Sequence, residues 1–143
     1  PVEPRDHLYF EAEIRPLIDG RTVNWIGPVN DLQKRELLRD AAALLFPIQW
    51  DEAFGIVMIE AMACGVPVLA YECGSVSEVV DAGVTGFYAD SLNELIDLVP
   101  RALELDRRGV RDHARGRFSL ELMADAYLQV YESVITGFRK PAC

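Results

Sequence analysis

The chain contains no apolar run approaching the ~20 residues that a helical membrane span needs. No segment reads as a signal peptide. Cysteine is scarce: Cys64, Cys73 and Cys143 are the only three. Their number is odd and their spacing fits no metal-ligand motif, which predicts reduced thiols in a cytoplasmic protein rather than a disulfide framework. Histidine is rarer still, with only His7 and His113, and neither has a partner motif. Positive charge is also in short supply. Fourteen Lys and Arg face 23 Asp and Glu, for a net charge of -9. That balance excludes nucleic acid or an anionic membrane surface as the main partner. There is no Ser-His-Asp set, no zinc spacing and no phosphate-binding P-loop, so no metal and no cofactor is expected.

Apolar residues make up half of the 143 positions, which suits one globular domain with a sizeable core, here read as residues 1–143. The opening Pro1-Val2-Glu3-Pro4 lacks a methionine and is read as the start of a piece cut from a longer protein.

Apolar spacing predicts a helix over Leu8–Ile18, stopped by Asp19-Gly20. Val23–Ile26 reads as a short strand broken by Gly27-Pro28. Asn30 with Gln33 matches a capping box and opens a helix to about Ala42. Ala43–Ile48 reads as an apolar strand buried on both faces of a parallel sheet. A helix from about Phe54 to Cys64 stops at Gly65. Pro67–Tyr71 is a further buried strand. Ser75 and Glu78 form a second capping box over a short helix to about Asp81, and a turn over Asp81–Gly86 leads to the strand Phe87–Ala89. Ser91 and Glu94 form a third box; its helix meets Pro100, which should kink or end it. A basic helix spans about Arg107–Arg117. The last helix, Ser119 to about Ile135, carries Leu120, Met123, Ala124, Tyr127, Leu128 and Tyr131 as a core-facing stripe. Strands alternating with helices imply an α/β fold with three layers, a Rossmann-like parallel sheet followed by extra C-terminal helices.

In such a sheet, ligands bind beyond the C-terminal strand ends. Three loops should share that edge: Gly27–Asp31, Gln49–Gly55 and Glu72–Ser75. Each opens into a helix N-terminus whose free N–H groups and dipole favour an anion such as phosphate. Gly55 and Gly74 either let phosphate approach the backbone or merely supply positive φ in tight turns. Glu60 lies about a turn inside an almost wholly apolar helix, where an unpaired charge is costly. It is suited to accept two hydrogen bonds from a vicinal diol such as ribose. Glu52, beside Asp51, reads equally as a dipole-compensating carboxylate and as a ligand for sugar hydroxyls, with Asp51 the better cap. Trp50 and Phe54 stack on a ligand or pack the rim. The basic run Arg107, Arg108, Arg111, His113, Arg115, Arg117 reads as a solvated helix face.

Glu52 and Glu60, eight positions apart with Phe54-Gly55 between, then Glu60-Ala61-Met62-Ala63-Cys64-Gly65-Val66-Pro67-Val68, resemble the retaining nucleotide-sugar glycosyltransferases of family 4, of GT-B fold. Trp25–Val29, Gly74–Val80 and Gly83–Phe87 resemble further segments of that family, and the likeness runs from about Leu8 to Tyr131. The resemblance implies a nucleotide-diphosphate sugar donor, metal-independent transfer with retention, and no firmly assigned protein nucleophile. By position, Glu52 would contact the donor sugar and is the one candidate catalytic residue. Phe54, Gly55 and Ile56 would present amides to the sugar or diphosphate. Glu60 would hold the ribose, Pro28 and Val29 would flank the base, and Gly74 would belong to the same site.

The resemblance also implies what should lie outside this chain. The family's first strand and helix of the donor domain, with an arginine and a lysine for the diphosphate, and its N-terminal acceptor domain have no counterpart here. The chain is thus expected to carry a donor-binding half-site, inactive alone, on a partial domain with an exposed sheet edge that the remainder of the enzyme or a homodimer partner would cover. Rival readings are a GT-B relative, such as a sugar-nucleotide epimerase or a sucrose- or trehalose-type synthase, and a non-catalytic interaction module.

Overall fold

A computed structural model describes residues 3–138. The chain divides into two compact units, Pro1–Glu36 and Leu37–Cys143.

The first unit begins with irregular helix rather than the single regular one predicted. A 3-10 turn (Pro4–Asp6) leads to one turn of α1 (His7–Tyr9), a π turn (Phe10–Ile14) and a second 3-10 turn (Arg15–Leu17). Pro16 explains the last change, because it has no N–H to continue the ladder. Phe10 is buried; its ring lies 5.4 Å from that of Trp25, and Arg15 lies over it at 5.3 Å. The predicted strand Val23–Ile26 does not form. The Asp19 carboxylate accepts from the N–H groups of Arg21, Thr22 and Val23 at 2.7–2.9 Å, and the Val23 carbonyl accepts from Asp19 and Gly20. Both polar groups of Val23 are thereby spent in a turn. The same donors, Val23 first, hold the Asp19 carboxyl down at a pKa of about 2. The Asn30–Gln33 capping box is complete and reciprocal, at 2.9 and 3.0 Å, and α2 (Asp31–Asp40) follows it.

The second unit is a three-layer α/β sandwich. Strands β1 (Leu44–Phe46), β2 (Val68–Tyr71) and β3 (Gly86–Ala89) form a parallel sheet in the order β1-β2-β3. Leu45, Leu69 and Phe87 stand in register. Helices α3 (Ile56–Ala63), α4 (Val76–Val79), α5 (Leu92–Leu103), α6 (Arg107–Phe118) and α7 (Leu120–Phe138) complete it. The alternation of β2 divides the core. Val68 and Ala70 join Met58, Ala61 and Met62 of α3, Val110 and Ala114 of α6, and Val76 and Val79 of α4. Leu69 turns to the other face, with Phe87 of β3 and Leu95 and Ala102 of α5.

Several expectations are corrected here. Three strands form among the described residues, not four. The edge strand β1 is not buried on both faces: Leu45 is 63% exposed, because the α5 layer covers its neighbours but not this position. Of the two outcomes expected at Pro100, a kink or an end, the end does not occur: α5 continues one turn to Leu103. Pro100 is exposed, so water can take the carbonyl it leaves unbonded. The α7 stripe does not face the core: Leu120, Met123, Tyr127, Leu128 and Tyr131 are all more than half exposed.

The second-unit caps sort by backbone conformation. Ser91 is extended, and its Oγ accepts from the Glu94 N–H at 3.3 Å, as predicted. Ser75 is helical at φ -78, ψ -2, which turns its side chain away from a capping position, so the Ser75–Glu78 box is not made. Asp106, unrecognised in the sequence, caps α6 by accepting from Arg108 and Gly109.

The basic helix is not simply solvated. Arg107 donates to the carbonyls of Ala41 and Arg39 at 2.7 and 2.8 Å, closing the C-terminal end of α2. His113 and Arg117 both engage Asp81, and Arg117 also donates to the Glu78 carbonyl. Asp81 thereby anchors α6 to the turn before β3.

Candidate functional site

Parallel pairing sends the chain out of β1 and β2 at the same sheet edge, and the two loops that follow are stitched together there. The Ser75 N–H donates to the Glu52 carbonyl at 3.0 Å, and the Cys73 thiol donates to the Asp51 carboxylate at 3.5 Å. Burial, together with that carboxylate, raises the Cys73 pKa. Gly74 packs so tightly on this junction that a methyl group would fall 2.5 Å from both the nitrogen and the oxygen of Glu52. Its φ of +56° also favours glycine.

Asp51 does not take the capping role favoured for it in the sequence. Asp51 takes the Cys73 thiol, whereas the Glu52 carboxylate reaches back to the N–H groups of Phe54 and Gly55 at 3.4 and 3.3 Å. These are long hydrogen bonds, and weak ones. Gly55 is the left-handed residue that starts α3, at φ +72°. It is buried, and a methyl group there would lie 2.5 Å from Met58 Cε and 3.3 Å from the Phe46 ring. Left-handed backbone at both positions, and backbone packing at Gly74, therefore favour glycine whether or not a ligand approaches.

Ile56 and Phe54 are exposed at the start of α3. Glu60 is half-buried one turn further on. It faces a groove of about 330 Å³ between α3 and α6, whose walls include Ile59, Arg111, Arg115, Phe118 and Ser119. The expectation that α3 has little solvated face is corrected: Ile56 and Ala63 are exposed, and the helix buries only Met58, Ala61 and Met62. Phe54 and Phe118 meet edge to face at 6.1 Å, joining the groove to the glutamate–glycine loop.

The structure thus gathers Glu52, Phe54, Gly55, Ile56 and Gly74 at one sheet edge, with Glu60 on the adjoining helix. Pro28 and Val29 lie in the first unit, in an exposed segment that follows no strand. Arg111 and Arg115, read from the sequence as part of a solvated helix face, line this groove together with Phe118, which the sequence reading did not single out. Their signal was available: Arg111 and Arg115 are four apart, on one helix face. Trp50 is exposed and has no ring partner among the described residues. Cys64 and Cys73 are free thiols, and Cys143 lies outside the described residues. No described helix is long and apolar enough to cross a membrane.

Residues 6–115 match the family of glycosyl transferases group 1. The chain belongs to that family. Among its relatives is the D-inositol 3-phosphate glycosyltransferase of Saccharomonospora viridis, 37% identical over 101 residues, covering 64% of this chain and 23% of that protein. The protein of that name from Mycolicibacterium smegmatis is 34% identical, covering 82% of this chain and 28% of its own length. The phosphatidyl-myo-inositol mannosyltransferase of Mycobacterium leprae is 32% identical, covering 91% and 37%. The chain therefore spans well under half the length of these group 1 relatives.

Proposed function

We propose that this chain carries the donor-binding part of a retaining glycosyltransferase that moves a hexose from a nucleotide-diphosphate sugar to an acceptor hydroxyl in the cytoplasm. The observation that carries the reading is the coupling of the Glu52–Gly55 loop to Gly74-Ser75 beyond two parallel strands, with Glu60 one turn along the helix that the loop begins.

In this reading Glu60 accepts hydrogen bonds from the ribose hydroxyls, and Pro28 and Val29 flank the base. The amides of Phe54, Gly55 and Ile56 face the diphosphate or the sugar. A ligand that takes the first two amides displaces the Glu52 carboxylate, which then turns to the sugar hydroxyls. In the transfer, the bond from the anomeric carbon to the diphosphate oxygen breaks, a bond to the acceptor oxygen forms, and the acceptor proton passes to the departing diphosphate. Charge grows on the departing diphosphate, where helix N-termini stabilise it without a metal. The acceptor side comes from the remainder of the enzyme, or from a partner copy over the exposed edge of β1. The chain alone binds donor weakly and transfers nothing.

The test is calorimetry with UDP-, GDP- and ADP-sugars, joined to Glu60→Ala in the full-length parent enzyme. Loss of hydrogen bonds to a charged group should lower kcat/KM by about 10- to 100-fold. Full activity in that variant would overturn the ribose assignment. Tight, sugar-specific binding by the 143-residue chain would overturn the half-site reading.

A further inference from the structure

The backbone of Glu52 is pinned, and its side chain is held only lightly. Ser75 donates its N–H to the Glu52 carbonyl at 3.0 Å, and Gly74 packs directly against the Glu52 nitrogen and oxygen. The carboxylate bends back over its own loop. One oxygen, Oε1, accepts from the Phe54 amide at 3.4 Å and from the Gly55 amide at 3.3 Å. Both bonds are long and weak. An anionic group of the chain itself thus occupies two of the amides that the reading above gives to the donor. A carboxylate oxygen and a phosphate oxygen compete for them, because each amide has one proton to donate.

We propose that Glu52 is an exchangeable internal occupant of the Phe54 and Gly55 amides, which admits an intact nucleotide-sugar and works against the bare nucleoside diphosphate. The inference rests on the donor-site reading given above and assigns these two amides to the diphosphate. Either ligand has to displace the carboxylate. With an intact donor, the displaced carboxylate gains sugar hydroxyls as new hydrogen-bond donors. With the bare diphosphate it gains nothing and stays beside a phosphate of like charge. The pinned backbone keeps it within a side chain's length of the amides. An internal occupant lowers apparent affinity by the fraction of time that the amides are open. Weak bonds keep that fraction sizeable, so donor still enters. Once the sugar has left, the same carboxylate returns to the amides and favours release of the nucleoside diphosphate.

Calorimetry on the full-length parent enzyme without acceptor tests this, with UDP, GDP and ADP set against UDP-glucose, GDP-mannose and ADP-glucose. In Glu52→Ala the bare diphosphates should bind about 3- to 10-fold tighter, because their competitor is gone. The sugar nucleotides should not share that gain, because the sugar loses its acceptor. Glu52→Gln keeps a neutral oxygen for the amides and should fall between the parent and Glu52→Ala. Asp51→Asn removes the same charge one residue away, from a carboxylate that takes the Cys73 thiol instead, and should leave the bare diphosphates unchanged. A Glu52→Ala enzyme that binds the bare diphosphates no more tightly than the parent overturns the exchange, and so does an equal gain in Asp51→Asn. If Glu52→Ala melts below the parent, Glu52→Gln decides by the same criterion. Glu60→Ala separates this inference from the ribose reading. Weaker nucleotide binding there, with no gain in Glu52→Ala, removes the exchange and leaves the ribose reading standing. A gain in Glu52→Ala with no effect of Glu60→Ala does the reverse. No saturable binding of any of the six probes overturns both.

Discussion

Helices α3 and α7 both present apolar side chains and differ in fate. Both carry apolar residues at helical spacing. Met58, Ala61 and Met62 of α3 are wholly buried, whereas Tyr127, over half exposed, is typical of the α7 stripe. Connectivity makes the difference. A helix between two adjacent parallel strands must cross back over the sheet, so β1 and β2 press α3 into the core. No strand follows α7 among the described residues, and its stripe has only its own spacing to recommend it. An apolar stripe specifies a face to be covered, but not the cover.

The contrast can be broken by substitution. Met62→Ala empties a fully buried site and should lower unfolding free energy by about 2–5 kcal/mol in denaturant titration. Gly74→Ala forces a left-handed position and a contact with the Glu52 backbone, which should cost about 1–3 kcal/mol. It should also loosen the junction that holds the loop before α3, read as faster amide exchange at Ser75. Tyr127→Ser on α7 should stay within about 0.5 kcal/mol, the range of ordinary surface changes. A loss at Tyr127 as large as that at Met62 would mean that the α7 stripe is covered in solution, and the contrast would fail.

The strand–helix alternation of the second unit was readable because β1, β2 and β3 are short apolar runs bounded by Gly and Pro, and because glycine ends α3 at Gly65. The capping boxes at Asn30 and Ser91 were readable for the same local reason. The box at Ser75 failed because Ser75 is helical where a cap is extended, and because its N–H goes to Glu52, 23 positions away, a long-range bond that no local pattern announces. The strand at Val23 failed because the Asp19 carboxylate offered its neighbours a closer acceptor than a sheet could. In the site, the two glutamates were legible from their setting. The groove that faces Glu60 was not, because Arg111 and Arg115 lie some 50 residues further along and meet it only through helix packing.

By itself the sequence determined the alternation of elements, the glutamate pair and the family they belong to. These depend on local spacing and on residue types whose preferences act over a turn or two. Tertiary structure decided that Glu52 reaches back to its own loop, that Gly74 is pinned by the Glu52 backbone, and that Glu60 shares a groove with two arginines. Those outcomes depend on which surfaces the parallel crossover brings within contact distance, and separation in space is not encoded by separation along the chain.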